Sequence, residues 1–331
     1  MTVRAFAPYV VVVLALLGLA LVIVKLAPVL LLVFAGIVIA SILHAASAPL
    51  TARLRLPHTV AVAIVALLLA ALIAGGAWLF GKQVTAQAEE LWNAIHAAVD
   101  AVRGRIGDSP LLQSVVDQLH GATSPEAMAH LAKGTFTALG AVVDFVLVIF
   151  VALYLALDPA RYRDGLVRLF PVAARPRLAE ALTRSGTALR RWLIGQLLAM
   201  VCVGAVAAIG LHFVGVPLAL PLGILLGVME FVPVVGPLAG AVVGVLIAFA
   251  QGPQLALYAV AVYAVVQTLE GQLITPLAQR WAVEMPAALT LIGIVGFGVL
   301  LGPMGLVLAM PLLVVAVTLV NELYVRALQR A

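Results

Sequence analysis

Residues 227–240 read GVMEFVPVVGPLAG and place one carboxylate, two prolines and three glycines inside a strongly apolar part of the chain. Proline and glycine disrupt helix interiors, and an acidic side chain at the centre of a bilayer costs about 2.5 kcal/mol or more on insertion scales. A plain membrane-spanning helix therefore excludes this combination. We expect a broken helix here, with its freed backbone groups lining a polar cavity beside Glu230.

The composition around this stretch is that of an integral membrane protein. Of 331 residues, 65% are hydrophobic and 10% are charged. A soluble domain is about 45–50% apolar and about 25% charged, so this chain lacks the polar residues to coat a soluble core. Its long apolar runs match the roughly 20 helical residues that cross a bilayer. The sequence predicts an all-α integral membrane protein.

The distribution of charge orients the spans. Segment 158–191 has eight arginines against three acidic residues, whereas segment 81–135 has six acidic against four basic residues. By the positive-inside rule, the first segment is cytoplasmic and the second is external. Both termini are then expected in the cytoplasm, and the net charge of +5 reflects topology and not nucleic-acid binding. The five clearest predicted spans are 5–24, 28–46, 59–80, 136–157 and 192–214.

The chain divides into four predicted regions. Asp158 followed by proline is a typical helix start, and a second helix is expected to begin near Pro176 and continue into the fifth span. The arginines of these helices are expected to contact anionic lipid head groups. The regions are an N-terminal three-span region (1–80), an external amphipathic helical insert (81–135), the fourth span with arginine-rich cytoplasmic helices (136–191) and a C-terminal transport core (192–331).

The spans after residue 214 are shorter. Apolar arms 217–231 and 236–250 are about 15 residues each, below the 17–25 that a full span needs, and they predict a re-entrant hairpin. A long span, about 254–279, returns the chain to the cytoplasm. A second pair of arms is centred on Gly302-Pro303 within 286–324. The sequence leaves open whether this pair spans the membrane or re-enters, and the total is about eight membrane segments.

The two hairpins resemble each other in sequence. Residues 227–237 and 293–303 share the pattern G-x-x-x-F-x-x-x-x-G-P, and P-x-A-L precedes each of them. One span separates the hairpins, so they would have opposite orientations. Inverted repeats with broken helices are typical of secondary transporters, whose substrate sites lie near the midplane at the repeat interface. Gly296 stands where the first hairpin has Glu230, so the two repeats differ chemically.

Polar side chains within the predicted spans are candidates for a transport pathway. In the span between the hairpins, Gln267 and Glu270 fall on a polar sector that we expect to face the protein interior, while the apolar face with Val266 suits lipid. A structural clasp between helices and a transport role both fit this sector. Asp144 is a further proton-relay candidate. Gln196 lies near the cytoplasmic end of its span, where a structural role is expected.

The sequence contains no motif for enzymatic chemistry. H-E-x-x-H, G-x-S-x-G and the Walker loop are absent. The single cysteine and the six histidines show no paired metal-ligand spacing. We therefore expect no enzyme activity, no catalytic residue, no metal site and no cofactor. Transport would be driven by an ion gradient or by the gradient of the substrate itself.

Several motifs together resemble those of the autoinducer-2 exporter (AI-2E) family, and the resemblance covers nearly the whole chain. It implies a transporter of the bacterial inner membrane with about eight membrane segments. It also implies a homo-oligomer, with a pentamer as the candidate assembly. The motifs are R-W-L-I-G-Q-L (191–197), V-P-L-A-L-P-L-G (216–223), E-F-V-P-V-V-G-P (230–237), Q-T-L-E-G-Q-L-I-T-P (267–276) and G-P-M-G-L-V-L-A-M-P (302–311).

The resemblance also indicates which residues belong to the pathway, and the tip of the second hairpin is added to them. The main hypothesis is a secondary transporter or permease for a small polar solute similar to autoinducer-2. The alternatives are a sodium(lithium)/proton antiporter, which needs a titrating carboxylate, and a membrane scaffold that transports nothing. The candidate residues are Glu230, Pro233, Gly236, Pro237, Gln267, Glu270 and Pro276, with Gly302 and Pro303 at the second hairpin.

The predicted topology can be tested by labelling. In a variant with Cys202 replaced by serine, single cysteines placed in segment 81–135 should react with an impermeant maleimide in intact spheroplasts. A cysteine at Gly252 should behave likewise, whereas one at Arg280 should react only after lysis. Labelling of segment 81–135 only after lysis would contradict the topology.

Overall fold

A computed structural model of the chain consists of helices throughout the residues that it describes. The predicted insert 81–135 lies outside these residues except for two positions, as does the end of the predicted span 59–80. Side chains are described from residue 25 in the first range and from residue 143 in the second. The described residues are 3–71, 138–274 and 285–326, together with Asn93, Ala97 and Pro276.

Helix α1 (Val3–Leu54) replaces the first two predicted spans with one continuous helix of 52 residues. At 1.5 Å per residue it is about 78 Å long, more than twice the roughly 30 Å of a bilayer core. The break predicted between spans 5–24 and 28–46 is therefore wrong. Apolar residues continue on both sides of Lys25, and membrane helices tolerate single prolines such as Pro28. On which side of the membrane the N-terminus lies stays a prediction.

Helix α2 is His58–Ala71. The two described helices that follow it are separated by a sharp bend. Helix α3 (Ala138–Leu157) ends just before Asp158, and α4 (Pro159–Arg168) leaves it at 90°. The Asp158 carboxylate accepts a hydrogen bond from the Arg161 N–H at 3.1 Å, which satisfies one of the free N–H groups at the helix start. The predicted helix start at Asp158 is confirmed.

Helix α5 (Arg175–Phe213) follows a short 3₁₀ turn, Val172–Ala174. It is the longest of the described helices that follow residue 138. Its 39 residues extend about 58 Å, well beyond a bilayer core. The apolar second half is long enough to cross the bilayer core, and the arginine-rich first half therefore extends beyond that core. This confirms the predicted helix that begins near Pro176 and runs into the fifth span.

Two short helices, α6 (Ala219–Met229) and α7 (Val235–Gln251), form the predicted first hairpin. With 11 and 17 residues they are about 16 and 26 Å long. A Cβ at Gly236 would collide with the Met229 carbonyl, and one at Gly240 would lie 3.2 Å from the Leu226 Cα. The contacts step in opposite directions along the two helices, so the arms run antiparallel.

Glycines allow α6 to lie directly on α5. A Cβ at Gly204 of α5 would lie 2.9 Å from the Gly223 carbonyl oxygen and 3.3 Å from the Gly227 Cα. Gly223 and Gly227 form a G-x-x-x-G pair, which lets membrane helices approach closely through their backbones. Helix α6 runs antiparallel to α5 here, so the hairpin tip returns toward the arginine-bearing half of α5.

Helix α8 (Pro253–Leu269) continues into a π-helical turn, Glu270–Ile274, within the predicted span 254–279. Helix α9 (Ala287–Val320) is broken at Gly302, whose φ of 69° lies in the left-handed region. A Cβ at Gly305 would collide with the Phe297 carbonyl, and one at Gly293 would collide with Leu313. The two arms therefore fold back on each other as predicted, and a second π turn, Asn321–Val325, ends the described chain.

The two hairpins break at different places in their shared sequence pattern. The first is non-helical over 230–234, and the second turns at Gly302, whose counterpart in the first hairpin is Gly236 inside α7. The sequence similarity of the two hairpins is therefore not matched by the positions at which their helices break. The inverted repeat and the count of eight segments stay predictions. Among described residues, four helical segments are long and apolar enough to cross a membrane, or five if α3 and α4 count as one bent span.

Helix α5 contributes to both large hydrophobic clusters. Its first half packs with α1 and α9 around Leu189, Trp192 and Leu193. Its second half packs with the first hairpin and α8 around Val203 and Leu211. The hairpin and the N-terminal helices are therefore held against a common central helix.

The tight contact between α5 and α6 predicts a large effect of one methyl group. In Gly223→Ala, the added Cβ would lie 2.6 Å from the Gly204 carbonyl oxygen. We expect a loss of about 1–3 kcal/mol of stability, as for other overpacked cores. Gly186→Ala is the matched control because its Cβ meets nothing within 4 Å and alanine favours helix by about 1 kcal/mol. Thermal unfolding in detergent should rank the proteins in this order, and an unchanged Gly223→Ala melting temperature would refute the packing.

Candidate functional site

Glu230 lies at the tip of the first hairpin, directly after the last residue of α6. Only 3% of this residue is exposed. The tip turns through Val234, whose φ of 70° is rare for a β-branched residue and marks local backbone strain. Such strain persists only where surrounding contacts hold it in place, and it is common at binding and switching sites.

Gln196 of α5 holds the broken end of α6. Its side-chain amide donates a 2.7 Å hydrogen bond to the backbone carbonyl of Glu230, and only 3% of Gln196 is exposed. The last carbonyls of a helix lack partners within the helix, and a buried carbonyl without a donor destabilises the fold. Gln196 supplies this donor, in keeping with the structural role expected from its position in the sequence.

Glu270 and Gln267 approach the same tip from α8. The carboxyl groups of Glu230 and Glu270 lie close enough to interact directly. The Gln267 amide in turn donates to the second carboxyl oxygen, Oε2, of Glu270. Glu270 is half-buried and begins the π-helical turn, a distortion that occurs frequently at functional sites. We call Gln196, Glu230, Gln267 and Glu270 the carboxyl cluster.

Two carboxyl groups that meet can share a proton in a hydrogen bond, because a protonated carboxyl donates and an ionised carboxylate can only accept. A shared proton would also prevent two negative charges from facing each other. Glu230 follows the C-terminal end of α6, where the helix dipole further disfavours a bare negative charge. The geometry therefore favours a proton or a cation between the two side chains.

Two buried polar atoms near the tip lack hydrogen-bond partners among the described residues. They are the Glu230 Oε2 acceptor and the Trp192 Nε1 donor. The Trp192 ring meets the Phe231 ring edge-on, with 6.0 Å between centroids. Buried polar atoms are nearly always paired, so unpaired ones in a native fold call for an explanation such as a ligand or water. Here one donor and one acceptor are available beside the same broken helix.

Trp192 is a site residue that our sequence analysis missed. It is 1% exposed and packs on Phe231, next to Glu230 in the chain. It lies four residues before Gln196, so both side chains project from the same face of α5. This spacing within the R-W-L-I-G-Q-L motif is the pattern that could have identified it.

The polar face of α8 points the other way from our expectation. Gln267, Thr268 and Gln272 are exposed, whereas Val266 is only 4% exposed. Helix α8 turns Val262 and Val266 toward α5, where a Cβ on Gly210 would lie 2.7 Å from Val262. The interior orientation predicted for the whole polar sector is therefore wrong, and only Glu270 reaches inward to the tip.

The carboxyl cluster lies toward the arginine-bearing end of α5. Gln196 is about 8 Å along the helix axis from Arg191 and about 26 Å from Phe213, at 1.5 Å per residue. The same helix therefore carries the cluster much closer to the cytoplasmic end predicted from the arginines than to the other end. The expected position of the site near the bilayer midplane stays a prediction.

The remaining candidates lie around the cluster or apart from it. Pro233 is within the tip, and its carbonyl accepts from the Val235 N–H at 2.8 Å. Gly236 and Pro237 are buried in the first turn of α7. Pro276 is exposed beyond the π turn. Asp144 is half-buried on α3, and no described contact joins it to the cluster.

Gly302 and Pro303 form the turn of the second hairpin and are not part of the carboxyl cluster. The two hairpins nevertheless share a core. Phe231 and Phe297, the phenylalanines of the repeated pattern, both pack against the hydrophobic cluster around Trp192 and Leu308. The second hairpin therefore supports the tip of the first through apolar contacts.

Comparison with known proteins agrees with this arrangement. Residues 9–325 match the family described as AI-2E family transporter. The chain is 25% identical over 297 residues to "Putative transport protein YueF" of Bacillus subtilis (strain 168), covering 84% of this chain and 80% of that protein. It is 26% identical over 267 residues to "Putative transport protein MT0215" of Mycobacterium tuberculosis (strain CDC 1551 / Oshkosh), covering 77% and 72%.

The family match extends over all the helices described above, including the hairpin that carries Glu230 and the π turn that carries Glu270. It confirms the resemblance seen in the sequence motifs. The chain is a member of the AI-2E transporter family.

Proposed function

We propose that this protein is a secondary transporter that moves a small polar solute, similar to autoinducer-2, across the bacterial inner membrane. The observation that carries the proposal is the close approach of the Glu230 and Glu270 carboxyl groups at the end of a broken membrane helix, where the two groups would share one hydrogen bond. Membership of a transporter family supports the general role. The unpaired Trp192 donor and Glu230 acceptor would contact the solute.

The carboxyl pair would couple transport to protons. Loss of the shared proton would leave two negative charges within hydrogen-bonding distance, and two unit charges 4 Å apart repel by about 4 kcal/mol at an effective dielectric constant of 20. Proton release is therefore favoured only when a cation or a hydrogen-bond donor of the solute takes its place. The same exchange in reverse would release the solute as the proton returns.

The pair also connects moving parts. Its shared hydrogen bond would join the hairpin tip to α8, and the Gln196 amide joins the same tip to α5. Release of the shared proton removes the first connection and leaves the second. The tip, with its strained Val234, would then move relative to α8 while its backbone stays fixed to α5.

A sodium(lithium)/proton antiporter is the second candidate. Oxygen atoms of carboxylates and backbone carbonyls are the ligands that hard cations prefer. The unpaired Glu230 Oε2 lies at a broken helix whose end carries carbonyl groups, which favours this candidate. A membrane scaffold that transports nothing is the third candidate, and it would use the cluster only as a clasp.

We further propose a homo-oligomer, with a pentamer as the candidate assembly, in which residues 81–135 lie outside and the arginine-rich segment lies in the cytoplasm. Gln267, Thr268 and Gln272 are exposed on a helix of spanning length, and the Thr268 hydroxyl already donates to the Ala264 carbonyl at 2.7 Å. Exposed glutamines are unfavourable against lipid chains and are satisfied by hydrogen bonds to another helix. A second copy of the chain would supply such a helix.

Neutral substitutions of the carboxyl pair test the proposed function. Glu230→Gln and Glu270→Gln keep the side-chain shape but cannot exchange a proton, so gradient-driven transport should fall at least about tenfold, toward the rate of protein-free liposomes. Uptake by proteoliposomes should be compared for autoinducer-2, sodium and lithium, with and without a pH gradient.

Glu180→Gln is the matched control because Glu180 is an exposed carboxylate on α5, paired with Arg184 and remote from the cluster. It should transport at the wild-type rate. Autoinducer-2 uptake would support the solute transporter, and pH-dependent sodium or lithium uptake alone would support the antiporter. Wild-type rates and an unchanged pH profile in both Gln variants would leave only a structural role for the pair.

A further inference from the structure

A second site lies where α4 bends away from α3. Helices α1, α3, α4 and α5 enclose a cavity of about 510 Å³ there, a size typical of small-molecule sites. Its lining residues and those of the carboxyl cluster do not overlap. Any ligand of this cavity is therefore separate from the proposed transport pathway.

The position of the cavity corresponds to a membrane surface. Helix α4 lies at 90° to the membrane helix α3, as does a helix that rests in the interface plane. Tyr162, Leu166, Leu169 and Phe170 are exposed on or just after α4, among arginines of the same segment. Exposed aromatic and apolar side chains beside basic residues are typical of contact with lipid head groups and upper acyl chains.

The cavity wall carries two arginines, and one of them, Arg190, has no carboxylate partner among the described residues. Arg163 is occupied by Asp164 at 2.8 Å and by the Thr183 hydroxyl at 3.3 Å. Arg190 also lines the cavity and is half-buried, and no carboxylate among the described residues pairs with it. No acidic residue is among the described residues that line the cavity. An anion would therefore meet an unpaired guanidinium.

His44 forms part of the cavity wall, but its Nδ1 is buried away from the cavity surface. The His44 ring is held edge-on by His58 at 4.8 Å between centroids, and His58 is itself hydrogen-bonded to the Ala156 carbonyl at 3.0 Å. Arg190 is therefore the polar group that would donate hydrogen bonds to a phosphate oxygen in the cavity.

The remainder of the wall is apolar. Ile37 of α1, Leu155 of α3, Leu166 of α4 and Leu182 of α5 line it. A small inorganic anion would leave this apolar surface uncovered. An anion that carries an alkyl chain would cover it and gain about 0.8 kcal/mol for each buried CH₂.

We propose that this cavity binds one anionic phospholipid, with its phosphate at Arg190 and one acyl chain against the apolar wall. The lipid would fasten α4 and the arginine-bearing half of α5 to the membrane surface. Basic pockets between membrane helices on the cytoplasmic side are known to accept anionic lipid head groups.

Lipid titration of the purified full-length protein in detergent, followed by native mass spectrometry, tests the proposal. Phosphatidylglycerol should bind at least about fivefold more tightly than phosphatidylcholine, as expected for one arginine near an anionic head group. Arg190→Gln should lose most of this preference. Arg191→Gln is the matched control, since Arg191 is the neighbouring exposed arginine and does not line the cavity, and it should keep the preference.

A second pair of variants tests the acyl chain. Gly186 lines the cavity, and a Cβ there meets nothing within 4 Å, so Gly186→Leu fills the space without a backbone clash. It should weaken phosphatidylglycerol binding at least about fivefold, as expected from the loss of one or two buried CH₂ groups. Gly165→Leu on α4 adds the same side chain in open space outside the cavity and should bind as the wild type does.

Three results would overturn the proposal. The wild type could bind both lipids equally, or Arg190→Gln and Arg191→Gln could lose the same fraction of binding, which would indicate a diffuse surface charge. Glycerol 3-phosphate could also compete as strongly as phosphatidylglycerol at equal concentration, which would identify a soluble phosphate as the ligand. If Arg190→Gln fails to fold, the Gly186→Leu and Gly165→Leu comparison decides the outcome.

Discussion

The hydrogen bond from the Gln196 amide to the Glu230 carbonyl is the constraint on which the first hairpin depends. A helix that stops inside an apolar layer leaves carbonyl groups without partners, and water is not there to satisfy them. At 2.7 Å and almost fully buried, this bond supplies a partner from another helix. Because the helix can end there, the chain can reverse at the tip through the strained Val234. The same ending lets Glu230 face Glu270.

That bond is possible only because α5 and α6 are in backbone contact. Gly204, Gly223 and Gly227 remove the side chains that would otherwise separate the two helices. A larger residue at any of them would move α6 outward and place the Glu230 carbonyl beyond the reach of Gln196. The glycines and the Gln196 hydrogen bond therefore act together. Glycine packing sets the distance between α5 and α6, and the Gln196 amide satisfies the Glu230 carbonyl.

Much of this arrangement could be predicted from the sequence, and the failures have physical causes. The short apolar arms and their Pro/Gly tips predicted both hairpins, because segment length against bilayer thickness is a strong constraint. Periodicity identified the polar sector of α8 but not its direction, because it shows which residues share a face and not which face a neighbouring helix covers. Val262 of that helix packs on Gly210, a contact between residues far apart in sequence.

Two other differences arise from weak local patterns. A single lysine between apolar runs led to two predicted spans, 5–24 and 28–46, whereas the helix continues through Lys25 because nothing else there terminates a helix. The pairing of Glu230 with Glu270 joins residues forty positions apart in the chain, and only the presence of each in a motif of the same family indicated a common site. Trp192 was missed because one aromatic residue in an apolar run has no distinct pattern of its own.

The π turn at Glu270–Ile274 has a mechanical consequence for the carboxyl pair. A π turn holds one residue more than the α-helical turn that it replaces. Helix α8 therefore carries one extra residue at this turn. If the extra residue were passed along the helix, each side chain in the shifted turn would rotate by about 100° about the axis. Glu270 would then leave Glu230 without any helix being broken or any span sliding through the membrane. A rotation of this kind would separate α8 from the hairpin tip without a hinge.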